Sequence, residues 1–60
     1  MGLKHLIWAR GHDWGRQAFL KEGKILVPAN GVDPAEPYGV SRGAWIEFSS
    51  FTKLKHWAGY

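Results

Sequence analysis

Ala44-Trp45-Ile46-Glu47-Phe48-Ser49 is the stretch on which the fold turns. Its residues alternate, with Ala44, Ile46 and Phe48 on one face and Trp45, Glu47 and Ser49 on the other, the period-two pattern of a strand half-buried in a sheet. A strand of this kind needs partners. Upstream, Gln17-Ala18-Phe19-Leu20-Lys21 and Ile25-Leu26-Val27 are joined by Glu22-Gly23-Lys24, a tight connection that predicts a hairpin. Arg16 to Glu22 would also fit a short helix face, and the hairpin connection decides for strand. Pro28 ends the second arm or places it at a sheet edge, because proline cannot donate to a ladder.

Working outward, Leu3 to Arg10 alternates loosely and predicts a first strand, with Leu3, His5, Ile7 and Ala9 on one face and Lys4, Leu6, Trp8 and Arg10 on the other. Gly11-His12-Asp13-Trp14-Gly15 is turn chemistry, with Asp13 placed to cap backbone amides. Asn30-Gly31 is a further turn signal, and Pro34, Pro37, Gly39 and Gly43 make the region from about residue 30 to 43 a long loop. The tail from Phe51 to Tyr60 fits two periods. Phe51, Leu54, Trp57 and Ala58 have helical spacing, whereas Leu54, His56 and Ala58 alternate, and strand is preferred. No internal repeat divides the chain, so residues 1–60 are expected to form a single small β-barrel domain.

Five short strands with glycine turns predict an all-β fold, a five-stranded Greek-key barrel of OB type, with an SH3-like barrel as the alternative. Val40-Ser41-Arg42-Gly43-Ala44-Trp45-Ile46-Glu47-Phe48 is similar to the turn glycine and V-x-F strand of the cold-shock domain. Ala18-Phe19-Leu20 resembles the end of that family's first ribonucleoprotein motif, and Ile25-Leu26-Val27-Pro28-Ala29 resembles the second, followed by Val32. Ile7-Trp8 resembles the K-W of its first strand. The resemblance implies an OB-fold that binds single-stranded RNA or DNA. Three base-holding positions depart from it: Gln17 and Leu26 stand where the family has Phe, and Pro28 where it has His.

Composition narrows the function classes. At 60 residues the chain buries only about 60% of its unfolded surface, and with no cysteine to staple it, four Trp, three Phe and two Tyr must supply the core. Absence of disulfides at this size points to the cytoplasm. No apolar run is long enough for a signal segment or a membrane span, and Leu6 breaks the pattern that would make Gly2 a myristoylation site. A net charge of +3 favours an anionic partner.

The alternation puts Lys4, Trp8 and Arg10 beside Gln17, Phe19 and Lys21 on one face, an aromatic and basic platform. Such a surface suits single-stranded nucleic acid, because bases stack on Trp or Phe while cations neutralise phosphates. The competing reading makes Trp8 and Phe19 plain core. Trp45 is pushed outward by its strand phase and joins the platform as a third stacking residue; Lys53 and Lys55, beside Trp57, would contact phosphate or simply guard a sheet edge. The expected function is therefore single-stranded nucleic-acid binding with little sequence preference, needing no cofactor. The rival is a protein-interaction module or inhibitor of phage or plasmid type, docking through Trp45 and the loop at 32–43.

Catalysis is not expected. His12-Asp13 resembles a base with its orienting carboxylate, yet no nucleophile stands beside the pair. His5, His12 and His56 lack metal-ligand spacing, and Gly11 and Gly15 precede no G-K-[ST] that would make a phosphate loop.

Overall fold

Glu22 and Gly23 both adopt positive φ, 52° and 76°, between the paired residues Lys21 and Lys24. This is the mirror-image two-residue turn whose twist matches that of flanking strands, and it closes the expected hairpin. A computed structural model, describing residues 1–29 and 36–60, places the arms at β1 (Phe19–Lys21) and β2 (Lys24–Pro28). A second hairpin joins β3 (Val40–Arg42) to β4 (Trp45–Phe48) through Gly43, whose φ of 65° explains the glycine, and Ala44. β4 inserts between β2 and β3, giving an antiparallel sheet of order β1-β2-β4-β3.

The strand phases of the two central strands hold. Ile25, Val27, Ile46 and Phe48 are all buried and lie on one face, since Ile25 pairs with Phe48 and Val27 with Ile46. Ala44, expected on that face, is instead an exposed turn residue. β3 was not expected; it arises inside the region read as loop. Pro37 and Gly39 do lie outside regular structure, whereas Asn30, Gly31, Val32 and Pro34 fall outside the described residues. Gly39 is buried, and a Cβ there would sit 2.8 Å from the Phe48 ring and 2.9 Å from the Glu47 carbonyl oxygen. Glycine is what lets the chain entering β3 press against β4.

The fold is not all-β. Residues expected as the first strand form a helix, α1 (Leu3–Arg10), and the tail forms α2 (Phe51–Ala58). Leu6 and Ala9, which alternation assigned to opposite faces, are both buried, as three-residue helical spacing requires. The segment is rich in good helix formers, Leu3, Lys4, Leu6, Ala9 and Arg10, and the His5 ring Nδ1 accepts from the backbone N–H of Gly2 at 3.1 Å, satisfying one orphan donor at its start. α2 is capped at both ends. Ser50 Oγ accepts from the Lys53 N–H, and Gly59 at φ 99° closes the C-terminus, with Gly59 and Tyr60 N–H bonding back to the His56 and Lys55 carbonyls. With those segments helical, β1 and β3 remain as sheet edges, so the barrel, OB or SH3-like, does not close; the sheet is open and four-stranded among the described residues.

Between α1 and β1 the chain makes a short 3₁₀ turn, Asp13–Gly15. Gly15 is buried against α1, where a Cβ would overlap the Ala9 carbonyl oxygen and lie 2.8 Å from its carbon. Arg10 Nε donates to the Ala18 carbonyl at 2.8 Å, tying the helix end to the start of the sheet. Asp13 does not cap this turn: its carboxylate accepts from Arg16 at 3.2 Å on the surface. Leu6, Ala9 and Leu54 from the helices join Ala18, Ile25, Val27, Ile46 and Phe48 in one core, so both helices cover the same face of the sheet.

Candidate functional site

Cross-strand partners share a face, so the register defines what the opposite side of the sheet displays. Phe19, Leu26, Glu47 and Val40 form one row across the four strands; Pro28, Trp45 and Arg42 form the next, and Lys21 with Lys24 lies on the other side of the first. No described helix packs on this face. Its central residues are half-buried, while Val40 is 47% exposed.

Two features organise it. Phe19 and Trp45 meet edge to face across β2, with ring centroids 4.9 Å apart. Such pairing holds two rings in fixed orientation at a modest gain, about 0.5–1.5 kcal/mol beyond their buried area. Glu47 stands between two cations, with Lys24 Nζ 3.7 Å and Arg42 Nε 3.4 Å from the same carboxylate oxygen, Oε2. Lys21, Lys24 and Arg42 against one carboxylate leave the described part of this face net positive.

The expected platform is thus divided. Phe19, Lys21 and Trp45 share the open face, and Trp45 is partly exposed as its strand phase requires. Lys4, Trp8 and Arg10 do not reach it, because they belong to α1, on the far side of the sheet; Arg10 is committed to Ala18. Gln17 is exposed but precedes β1. Lys53 and Lys55 belong to α2, also on the far side, where the Lys55 ammonium lies 5.3 Å from the Phe51 ring centroid. Lys24, Arg42 and Glu47 were missed. Lys24 was legible, since the phase that buries Ile25 and Val27 puts residues 24, 26 and 28 outward; Arg42 was hidden by reading its strand as loop.

A second cluster lies in the helix layer. Trp8 contacts Phe51 and Tyr60, each at 5.1 Å, and His12 stacks on Trp14 at 4.8 Å with planes 22° apart. His12 Nδ1 is 2.9 Å from the Trp8 carbonyl and Nε2 is 2.7 Å from the Tyr60 hydroxyl. A carbonyl only accepts, so Nδ1 carries the proton and, in the neutral ring, Nε2 accepts from Tyr60. The αL turn at Gly59 is what swings Tyr60 back to this point. Trp8 is therefore a packing hub of the helix layer, and His12 a link between α1 and the end of α2. Asp13 turns away to Arg16, so no His12–Asp13 dyad forms.

Among the described residues no three His, Asp or Glu side chains converge as metal ligands, and no helix is long and apolar enough to cross a membrane. No family model, curated protein or solved structure matches the chain.

Proposed function

We propose that the open face of the sheet binds single-stranded nucleic acid. The observation that carries this reading is the Phe19–Trp45 ring pair set among Lys21, Lys24 and Arg42 on the face that the helices leave uncovered. Bases offer π-faces to fixed rings, each stacked base contributing about 1–3 kcal/mol, and cations flanking such rings supply partners for phosphates. Leu26 and Pro28, which occupy the base-holding positions of the cold-shock resemblance, point to this same face. Lys4, Arg10, Lys53 and Lys55 contribute only long-range attraction.

Titrating tryptophan fluorescence with oligo-thymidine at two salt concentrations tests the proposal. Quenching is expected from Trp45, since Trp8, Trp14 and Trp57 lie in the helix layer. Three cations at roughly 0.7 counterions each predict a slope of about −2 in log affinity against log salt. No response at tens of micromolar oligonucleotide would turn the reading to the protein-interaction alternative.

A further inference from the structure

Glu47 is the one acidic side chain on the open face among the described residues, an odd resident of a surface suited to phosphates. Charge pairing alone accounts for it poorly. Its partners Lys24 and Arg42 keep 43% and 61% of their side-chain surface exposed, and ion pairs that open to solvent contribute little. Both cations approach Oε2, at ion-pairing distances rather than as short hydrogen bonds, and no described partner engages Oε1. The Glu47 side chain is only 16% exposed, so its carboxylate is confined on the face rather than swinging in solvent.

We infer that Glu47 is a specificity-determining residue of this surface, accepting hydrogen bonds from the Watson–Crick edge of a base stacked on the Trp45–Phe19 pair and selecting guanine over thymine or uracil. The inference rests on the single-strand-binding reading above. Trp45 and Glu47 are two residues apart on one strand and share a face, so their Cα atoms lie about 6.5–7 Å apart, comparable with the length of a stacked purine. A base lying on the indole therefore reaches the carboxylate with its edge.

Donor chemistry sets the order of preference. Guanine presents two adjacent donors, N1–H and the N2 amino group, which match the two oxygens of a carboxylate. Adenine and cytosine each present one amino donor beside a ring-nitrogen acceptor that the carboxylate repels. Thymine and uracil present a single N3–H flanked by two carbonyl oxygens, the least favourable edge. A good bidentate contact discriminates by about tenfold or more.

The experiment compares a thymidine octamer with octamers carrying one central deoxyguanosine, deoxyinosine, deoxyadenosine or deoxycytidine, on the wild-type protein and on Glu47→Gln. On the wild type, the deoxyguanosine octamer is expected to bind about tenfold tighter than all-thymidine, with deoxyinosine, which lacks the N2 amino group, in between. Glu47→Gln should bind all-thymidine more tightly, because a negative charge is gone, and should lose the deoxyguanosine preference. Equal wild-type affinity for the deoxyguanosine and thymidine octamers, or a preference that persists in a folded Glu47→Gln, overturns the inference and leaves the single-strand reading standing. Absence of binding to every octamer overturns both. If Glu47→Gln does not fold, the wild-type contrast of deoxyguanosine with deoxyinosine still decides.

Discussion

Trp45→Ala separates binding from folding because its ring is half-buried on the open face and outside the core cluster. The substitution removes the edge-to-face contact with Phe19, worth about 0.5–1.5 kcal/mol, and shortens the cross-strand partner of Pro28 to a methyl group. A folding loss of about 1–2 kcal/mol follows. Phe48, fully buried at the centre of the opposite face, is the contrast: Phe48→Ala should cost about 3–5 kcal/mol. A 60-residue domain has roughly 3–9 kcal/mol in total, so Trp45→Ala stays folded while Phe48→Ala sits at the edge of unfolding. Oligonucleotide affinity in Trp45→Ala should fall by the value of one stacked base, about 1–3 kcal/mol, or roughly 5- to 150-fold. Urea melts followed by far-UV circular dichroism measure the first quantity. Anisotropy of a labelled thymidine octamer measures the second without relying on the lost indole. Unfolding of Trp45→Ala to the extent expected of Phe48→Ala would show that the ring is core; unchanged affinity in a folded variant would remove the open face as the site.

Three further outcomes are expected. Gly15→Ala should abolish the cooperative thermal transition, because its Cβ runs into the Ala9 carbonyl, a backbone group that cannot yield without unwinding α1; a normal melt would show that the 3₁₀ turn is not packed as described. Glu22→Asn should raise stability by about 0.5–1 kcal/mol, or roughly 2–8 °C in Tm, since Asn tolerates the positive φ of this turn far better than Glu, and an unchanged or lower Tm would count against the turn geometry. Replacing Lys21 and Lys24 with Ala should cut the salt dependence of oligonucleotide binding by about 1.4 log units per log unit of salt, whereas the same change at Lys53 and Lys55 should leave the slope nearly intact; the reverse pattern would move the site to α2.

What was legible in the sequence was the part buried on one side only. Ile25, Val27, Ile46 and Phe48 alternate with outward residues, and Glu22-Gly23 fixes the register between β1 and β2, so the central strands and the exposure of Trp45 could be read directly. The helices were obscured by their length. Eight residues make barely two turns, over which loose alternation and helical spacing both fit the apolar positions. For α2 the deciding information lay in the caps, Ser50 ahead of the run and Gly59 after it, rather than in periodicity. β3 carried no pattern at all. Val40, Ser41 and Arg42 are every one exposed, so nothing in their order marks a strand, and its existence depends on pairing with β4. The candidate site was half legible for the same reason: Phe19, Lys21 and Trp45 follow from strand phase, whereas Arg42 depends on an unmarked strand and Lys4, Trp8 and Arg10 were misplaced with their helix.

The allocation of aromatic residues gives the open face its meaning. Trp8, Trp14 and Trp57 pack in the helix layer with His12, Phe51 and Tyr60, and with the apolar core they supply the buried area that a chain of this size without cysteine needs. Trp45 is not part of that economy; it sits across the sheet with Phe19. An antiparallel sheet covered on one side normally alternates apolar inward with polar outward. Here Phe19, Leu26, Pro28, Val40 and Trp45 all point to the side that the described helices leave open, against that rule, while the inward positions of β2 and β4 follow it. Solubility alone would have put polar residues at those positions, and the core gains nothing from rings on the far side. A local departure from an otherwise consistent pattern marks function better than fold. Lys21, Lys24 and Arg42 ring this patch with positive charge, and on the single-strand-binding proposal they are the groups that would meet phosphates while Phe19 and Trp45 meet bases.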